Sequence, residues 1–305
     1  MISPIIIITD EPQNQGGWHG AQLAAAMATR GFKAIFASLQ DCVIDLSAEK
    51  PSIKFSHFNE FNNKALPKAV FVRGIAGGTL QQITTRLHIL HALKMLGVTV
   101  YNDGRAIERT VDKAMTSFLL HQHHVATPQT WVCESRHVAH QIMMREIITQ
   151  NQQLLIKPLF GSQGQGVRLV DKAAWPLPMD AHVSGVFYLQ RFIQATHDYR
   201  VFIVNNQAIA AMKRTGESWL HNVAQGAVCE KTEAADVLAI ALRAARVLDI
   251  AYCGVDVIRD TDGKLYVLEV NSIPAWRGLQ SVTDVNIAQL LVDDLLTQIC
   301  INQNN

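Results

Sequence analysis

The chain predicts an α/β domain built on a parallel sheet, followed by an α+β region. Three observations carry this: short apolar runs alternate with helix-period segments over the first hundred or so residues, strand-like runs follow one another after Val186, and a hairpin pattern closes the chain. The opening reads as strand Ile5 to Ile8, the loop NQGGWHG, a helix Ala21 to Arg30, Gly31 as its stop, and strand KAIFASL. The strand AVFVRG leads to an amphipathic helix, Thr79 to Leu96, with Leu80, Ile83, Leu87, Leu90 and Leu93 at helical spacing and Gly97 ending it. VTVYN returns as a strand, so residues 1–101 make the first domain.

A second region, 102–185, begins with a helix near TVDKAMTSFLLHQ, then strand TWVC, helix RHVAHQIMMREIITQ and strand LLIKPLF. The third, 186–305, reads as strands VFYLQRFI, YRVFIVNN and AIAAMKRT, an Ala-rich helix from Glu233 to Leu248, the hairpin and a last helix.

Composition excludes several classes. With 305 residues, 49% apolar and 17% charged, the chain is globular throughout. A net charge of +1 without runs of like charge argues against nucleic acid or an anionic membrane as a partner. The run IIII is too short for a signal or a membrane span, so a cytoplasmic location is expected. Cys42, Cys133, Cys229, Cys253 and Cys300 form no CxxC pair and read as reduced structural thiols, and HQHH lacks the partners of a zinc site.

The stretch KPLFGSQGQGV, Lys157 to Val167, sets three glycines after a strand lysine. It is not GxxxxGK[ST], and its order GxxGxG is followed by strand-like VRLV rather than by a helix. Strand, glycine turn and returning strand make a lid whose N–H groups can close over phosphates, with the lysine beneath. Taken alone, the loop also fits a glycine hairpin that binds nothing.

GVDVIRDTDGKLYVLEVN supplies the second signal. With a four-residue turn, Asp260 pairs with Leu265 and Asp256 lies opposite Glu269, with Asn271 on the same face and Val255, Val257, Leu268 and Val270 on the other. Two carboxylates and an amide oxygen on one face suit Mg²⁺, an ion that usually also holds substrate phosphates. A surface hairpin with polar residues outward is the plainer alternative.

These residues, with Asp112-Lys113 at a helix start, QRFI, the run Asp198 to Arg200, and Lys213-Arg214, resemble the ATP-grasp fold with an N-terminal pre-ATP-grasp domain. KPLFGSQGQGV, AAMKR, GVDVIR and LEVNSIP look most like its RimK-type glutamate ligases. The resemblance covers essentially the whole chain. It implies that Lys113 and Lys157 contact the ATP phosphates, with Lys213 also among the nucleotide-binding residues, that Ser162, Gln163, Gly164 and Gly166 form the lid, and that Gln190, Arg191, Phe192 and Ile193 hold adenine by backbone groups with Asp198 on the ribose side. Asp256, Glu269 and Asn271 are the implied Mg²⁺ ligands, with Mn²⁺ as an alternative ion. Arg200, Arg214 and Asn222 are implied at the reacting carboxylate. Family hinges commonly carry Glu where this chain has Arg191.

The implied reaction is ATP-dependent joining of a carboxylate to an amine through an acyl phosphate, with ADP and phosphate released. FVRGIAGGTLQQITTRLHILHALKMLGVTVYN and AIERTVDKAMTSFLL look similar to ligases that add L-glutamate to coenzymes of the tetrahydromethanopterin type. Trp18, His19 and Arg73 sit at strand ends where ligands bind open parallel sheets, which leaves two readings open, contact with the acceptor or a purely structural role. A ribosomal protein tail as acceptor, an ATP-grasp kinase acting on a hydroxyl, and an inert nucleotide-binding module are the alternatives. The expected partners are a small carboxylate acceptor and an amino acid; a homo-oligomer stays open.

Overall fold

The computed structural model describes residues 4–55, 66–161, 165–172, 185–216 and 228–303. Strands β1 (Ile5–Ile8), β2 (Ala34–Ala37), β5 (Ala69–Val72) and β6 (Thr99–Tyr101) form a four-stranded sheet in the order β2-β1-β5-β6, with every pairing parallel. β3 (Cys42–Asp45) and β4 (Ser52–Phe55) form a separate hairpin. Both faces of the parallel sheet are buried, as its unbroken apolar strands require. Ile6, Ile8, Val70 and Val72 pack beneath α2 (Leu80–Met95). That helix starts in a capping box, with the Thr79 side chain accepting from the Gln82 N–H and Gln82 returning the bond. Ile5, Ile7 and Phe71 pack against α1 (Gly17–Thr29) and, from the other end of the chain, the last helix at Ile287–Gln303.

α3 (Gly104–Val111) and α4 (Lys113–Gln122) follow, split where Asp112 leaves helical geometry to cap α4 by accepting from the Ala114 and Met115 N–H groups. The second sheet has the order β7-β10-β8-β9 and joins β7 (Thr130–Cys133), β8 (Leu154–Lys157), β9 (Arg168–Val170) and β10 (Phe187–Arg191). α5 (Arg136–Met143) and a π-helical segment, Met144–Thr149, cover one face, where Leu154, Ile156 and Leu189 are buried. β10 lies antiparallel between β7 and β8. The sequence reading grouped it with the third region; its partners are strands of the second.

The third sheet, β13-β12-β11-β14-β15, contains β11 (Asp198–Val204), β12 (Gln207–Thr215), β13 (Val228–Lys231), β14 (Tyr252–Arg259) and β15 (Leu265–Asn271), all antiparallel. α6 (Ala235–Leu248) covers one face with Val237, Ala241 and Ala245 over Val201, Val255 and Val257. α7 (Arg277–Gln280) and α8 (Ile287–Gln303) end the chain. The five cysteines are unbridged, and no helix among the described residues is long and apolar enough to cross a membrane.

Candidate functional site

The site lies where the uncovered face of the second sheet meets the uncovered face of the third, and strand alternation decides which side chains reach it. In β11, Tyr199, Val201 and Ile203 point to the α6 side, so Asp198 and Arg200 point the other way, followed by Phe202 and Val204 in the apolar core below.

Asp256 does pair with Glu269, but by a route the hairpin pattern did not show. Arg259, not Asp260, pairs with Leu265, which lengthens the turn by a residue, and a bulge between Asp256 and Val257 restores the register. Val267 therefore takes the core position beside Val270 that the sequence reading gave to Leu268. The Asn271 amide nitrogen donates to Glu269 Oε1 at 2.9 Å.

Two guanidinium–carboxylate forks run across this face. Arg214 donates to Asp198 through Nε at 2.6 Å and Nη2 at 2.7 Å. Arg200 donates to Asp256 through Nε and, at 2.7 Å, through Nη2, while Arg214 Nη2 stands 3.2 Å from the same carboxylate. Burial works against charge on Asp256, but the two guanidiniums outweigh it and hold the carboxyl down at about 2. The same carboxylates outweigh burial at Arg214 and push it up.

From the second sheet, Lys157 donates to Gln190 Oε1 at 2.6 Å. Gln190 in turn donates to Thr130 Oγ1 and the Tyr188 hydroxyl, which shares a 2.7 Å hydrogen bond with Ser117. Burial lowers Lys157 to about 8; the Lys113 charge acts in the same direction, and Glu269 and Asp256 oppose it. Lys113, also lowered by burial and supported by Glu269, donates to the Gly161 carbonyl at 2.8 Å and the Leu159 carbonyl at 3.3 Å, at the root of the glycine turn. β8 and β9 pair antiparallel as the lid pattern requires. Gly161 at φ +150° and Gly166 at φ +73° hold backbone angles that other residues rarely adopt. Ser162, Gln163, Gly164 and Asn222 lie outside the described residues.

Two expected residues turn away. Lys213 alternates with the buried Arg214, so it leaves the site face and comes within 3.8 Å of Glu230. Arg191 alternates with Gln190; its Nη2 donates to Glu146 at 2.6 Å and Gln150 at 2.9 Å on the α5 side. Its N–H donates to the Gln129 carbonyl and that of Phe192 to the Gln153 carbonyl, so both hinge amides are engaged within the chain. A cavity of about 960 Å³ lies beyond the hinge, with Phe118, Trp131, Glu146 and Arg191 in its walls and neither Lys157 nor Glu269.

Asp256, Glu269 and Asn271 fit a hard divalent cation by donor chemistry: two facing carboxylates and an amide oxygen, with Asp256 Oδ2 keeping a lone pair beyond its bond to Arg200 while Oδ1 meets both Arg200 and Arg214. Among the described residues no cluster of three or more His, Cys, Asp or Glu competes with them.

Residues 110–295 match the RimK-like ATP-grasp domain. The chain belongs to this family. It is 34% identical over 251 residues to tetrahydromethanopterin:alpha-L-glutamate ligase of Methanococcus maripaludis, covering 78% of this chain and 82% of that protein. It is 28% identical to probable alpha-L-glutamate ligase 1 of Pseudoalteromonas atlantica over 285 residues, 89% of each chain. The ATP-grasp ligase PsnB, solved with a minimal precursor, Mg and ADP, superposes with a TM-score of 0.70 at 19% identity over 97% of this chain and 98% of its own. The RimK-like chain is thus an ATP-grasp ligase in fold and family.

Sequence reasoning missed the side chains that anchor the RimK-like site from behind. Ser117, Thr130 and Tyr188 hold Gln190, and Glu146 holds Arg191. Only period-2 alternation through TWVC and FYLQR could have put Thr130, Tyr188 and Gln190 on one face.

Proposed function

We propose that the protein is an ATP-dependent carboxylate–amine ligase that adds L-glutamate to a pterin coenzyme of the tetrahydromethanopterin type through an acyl phosphate. The observation that carries this is the convergence of Lys113, from the start of α4, and Lys157, from the second sheet, on Glu269 of the third, which builds a cleft with cations on one wall and a metal-type donor set on the opposite one. The similarity to the tetrahydromethanopterin ligase supports the choice of acceptor and of glutamate.

Lys157, held by Gln190, supplies a fixed cation to the triphosphate, and Lys113 joins it as the glycine turn closes. Asp256, Glu269 and Asn271 hold Mg²⁺, which when bound neutralises phosphate charge. An acceptor carboxylate oxygen attacks the γ-phosphorus as the bond to ADP breaks. The glutamate amine then attacks the acyl carbon, loses a proton, and phosphate leaves. Arg200 and Arg214, fixed by their carboxylates, meet the negative charge of these steps without reorganising. The lid keeps water from the acyl phosphate. Because the Arg191 and Phe192 amides are engaged, the adenine edge is read by the neighbouring carbonyls and by Ile193.

The test is incubation with Mg²⁺, ATP, L-glutamate and a panel of pterin and peptide acceptors, followed by mass. A gain of one glutamyl unit on a pterin is the expected result; phosphorylation without amine, or glutamylation of peptides alone, overturns it.

A further inference from the structure

Beyond Asn271, residues 272–276 leave the metal-type hairpin and deliver Trp276 to the C-terminal ends of β1 and β5. There the Trp276 backbone N–H donates to His19 Nε2 at 3.0 Å, and the two rings meet edge to face with centroids 4.5 Å apart. Arg73, the residue after β5, lays its guanidinium 5.0 Å from the Trp276 ring centroid. Since Nε2 accepts, the neutral His19 ring carries its proton on Nδ1. Burial and the charges of Arg73 and Arg277 push His19 down to about 4, so it is neutral at physiological pH.

The cluster is unfinished as a set of polar contacts. Arg73 Nε, Arg73 Nη1 and Trp276 Nε1 are buried and have no hydrogen-bond partner. Buried donors are almost always met, and a buried guanidinium with unmet donors is among the costlier arrangements a fold can hold. The contact with the indole face leaves the edge donors Nε and Nη1 of Arg73 unmet. Donors with a positive charge and no acceptor mark the place of an absent anion. Asp10 offsets part of the charge of Arg73 while Arg277 adds to the positive field at His19, a balance that suits a singly charged carboxylate better than a phosphate dianion.

We infer that Arg73, Trp276 and His19 form an anion subsite that takes a second carboxylate of the acceptor substrate, apart from the carboxylate that is activated beside Glu269. Arg73 and Trp276 are the donors, and His19 fixes Trp276 through its backbone. The subsite rests on the ligase reading for its role, but its existence can be tested without turnover.

Isothermal titration of the full chain, with Mg²⁺ and a non-hydrolysable ATP analogue present, uses glutarate, inorganic phosphate and L-glutamate as separate probes. Glutarate is expected to bind the wild type and to bind Arg73→Gln and Arg73→Met at least tenfold more weakly, with neither phosphate nor L-glutamate displacing it. Arg73→Met should melt no lower than the wild type, because it removes the unmet donors, while Arg73→Gln keeps an amide in their place. Trp276→Phe, which deletes the indole N–H, should weaken glutarate severalfold and decides the matter if the Arg73 variants fail to fold. Absence of glutarate binding to the wild type, unchanged affinity in the variants, or displacement by L-glutamate overturns the subsite. With an acceptor that turns over, Arg73→Gln should raise the acceptor KM at least tenfold and leave the KM values for ATP and glutamate unchanged. If no acceptor turns over, the ligase reading fails while the titration still decides the subsite; turnover with an unchanged acceptor KM sinks the subsite alone.

Discussion

Arg200 holds both carboxylate oxygens of Asp256, one residue of the donor set pinned by its neighbour on the adjacent strand. Arg214 reaches the same carboxylate, so Asp256 serves the architecture as well as any ion it binds.

That double duty separates the two acidic residues. Asp256→Ala strands the Arg200 guanidinium and takes from Arg214 its second carboxylate, Asp198 remaining, and should cost about 3–5 kcal/mol of stability together with all turnover. Glu269→Gln keeps the shape and removes one charge; ADP release should fall at least about a hundredfold, the scale of losing one key electrostatic group, with the melting temperature nearly unchanged. Comparable losses of activity and stability in Glu269→Gln would count against its metal role.

Lys157 gives a pH signature. Its folded value of about 8 lies below the ordinary lysine range, so the free protein loses this cation as pH rises through 8. Binding of a triphosphate favours the charged form, so nucleotide binding should take up a proton above pH 8, and the ATP Kd should rise about tenfold per pH unit until the bound form titrates. Calorimetry at pH 9 in buffers of differing ionisation enthalpy reads that proton, and it should vanish in Lys157→Met. For stability the sign is opposite to the usual lysine case: the folded state sheds its proton first, so this group's contribution improves as pH climbs from 8 towards the unfolded value.

The Arg191–Glu146 pair is buried on its acidic side, where Glu146 is 1% exposed. Burial opposes charge on Glu146, while Arg191 and Arg145 outweigh it and keep the carboxyl low. Arg191→Ala should destabilise the chain by about 3 kcal/mol, and the double change Arg191→Met with Glu146→Leu should recover most of it. Chemical denaturation of the two variants checks this.

Gly254 sits under the site. A Cβ there would stand 2.9 Å from Pro274 Cβ and 3.1 Å from Arg200 Nη1. Gly254→Ala should therefore shift Arg200 or the segment carrying Pro274, costing about 1–3 kcal/mol as overpacking and lowering kcat more than ATP affinity. Single-turnover kinetics beside nucleotide titration separates the two effects.

Much of the architecture was legible because its signals are local. Apolar runs such as IIII and AVFV read as strands of a parallel sheet, and helical spacing from Leu80 to Leu93 announced α2. Asp256 and Glu269 were found by alternation alone, yet the intermediate pairing was wrong: a longer turn and a bulge cancel, and neither leaves a mark in the residue types. The side chains of Lys213 and Arg191 leave the face that Arg214 and Gln190 share, a matter that one residue of strand phase decides, while the expected role of Arg191 was a backbone one. β10 was misgrouped because sheet partnership is non-local. Trp276, Glu146 and the Gln190 network depend on contacts between distant segments, which no window of sequence displays.

The seating of α8 against α1 bears on how the protein is made. Leu291, Leu295 and Ile299 close the same apolar layer as Ile5, Ile7 and Phe71. A nascent chain leaving the ribosome has that side of its first sheet covered only by α1 until α8 emerges, so vectorial synthesis cannot finish the amino-terminal layer on its own. Truncation at the carboxyl end should therefore expose a sticky surface at the opposite end of the sequence.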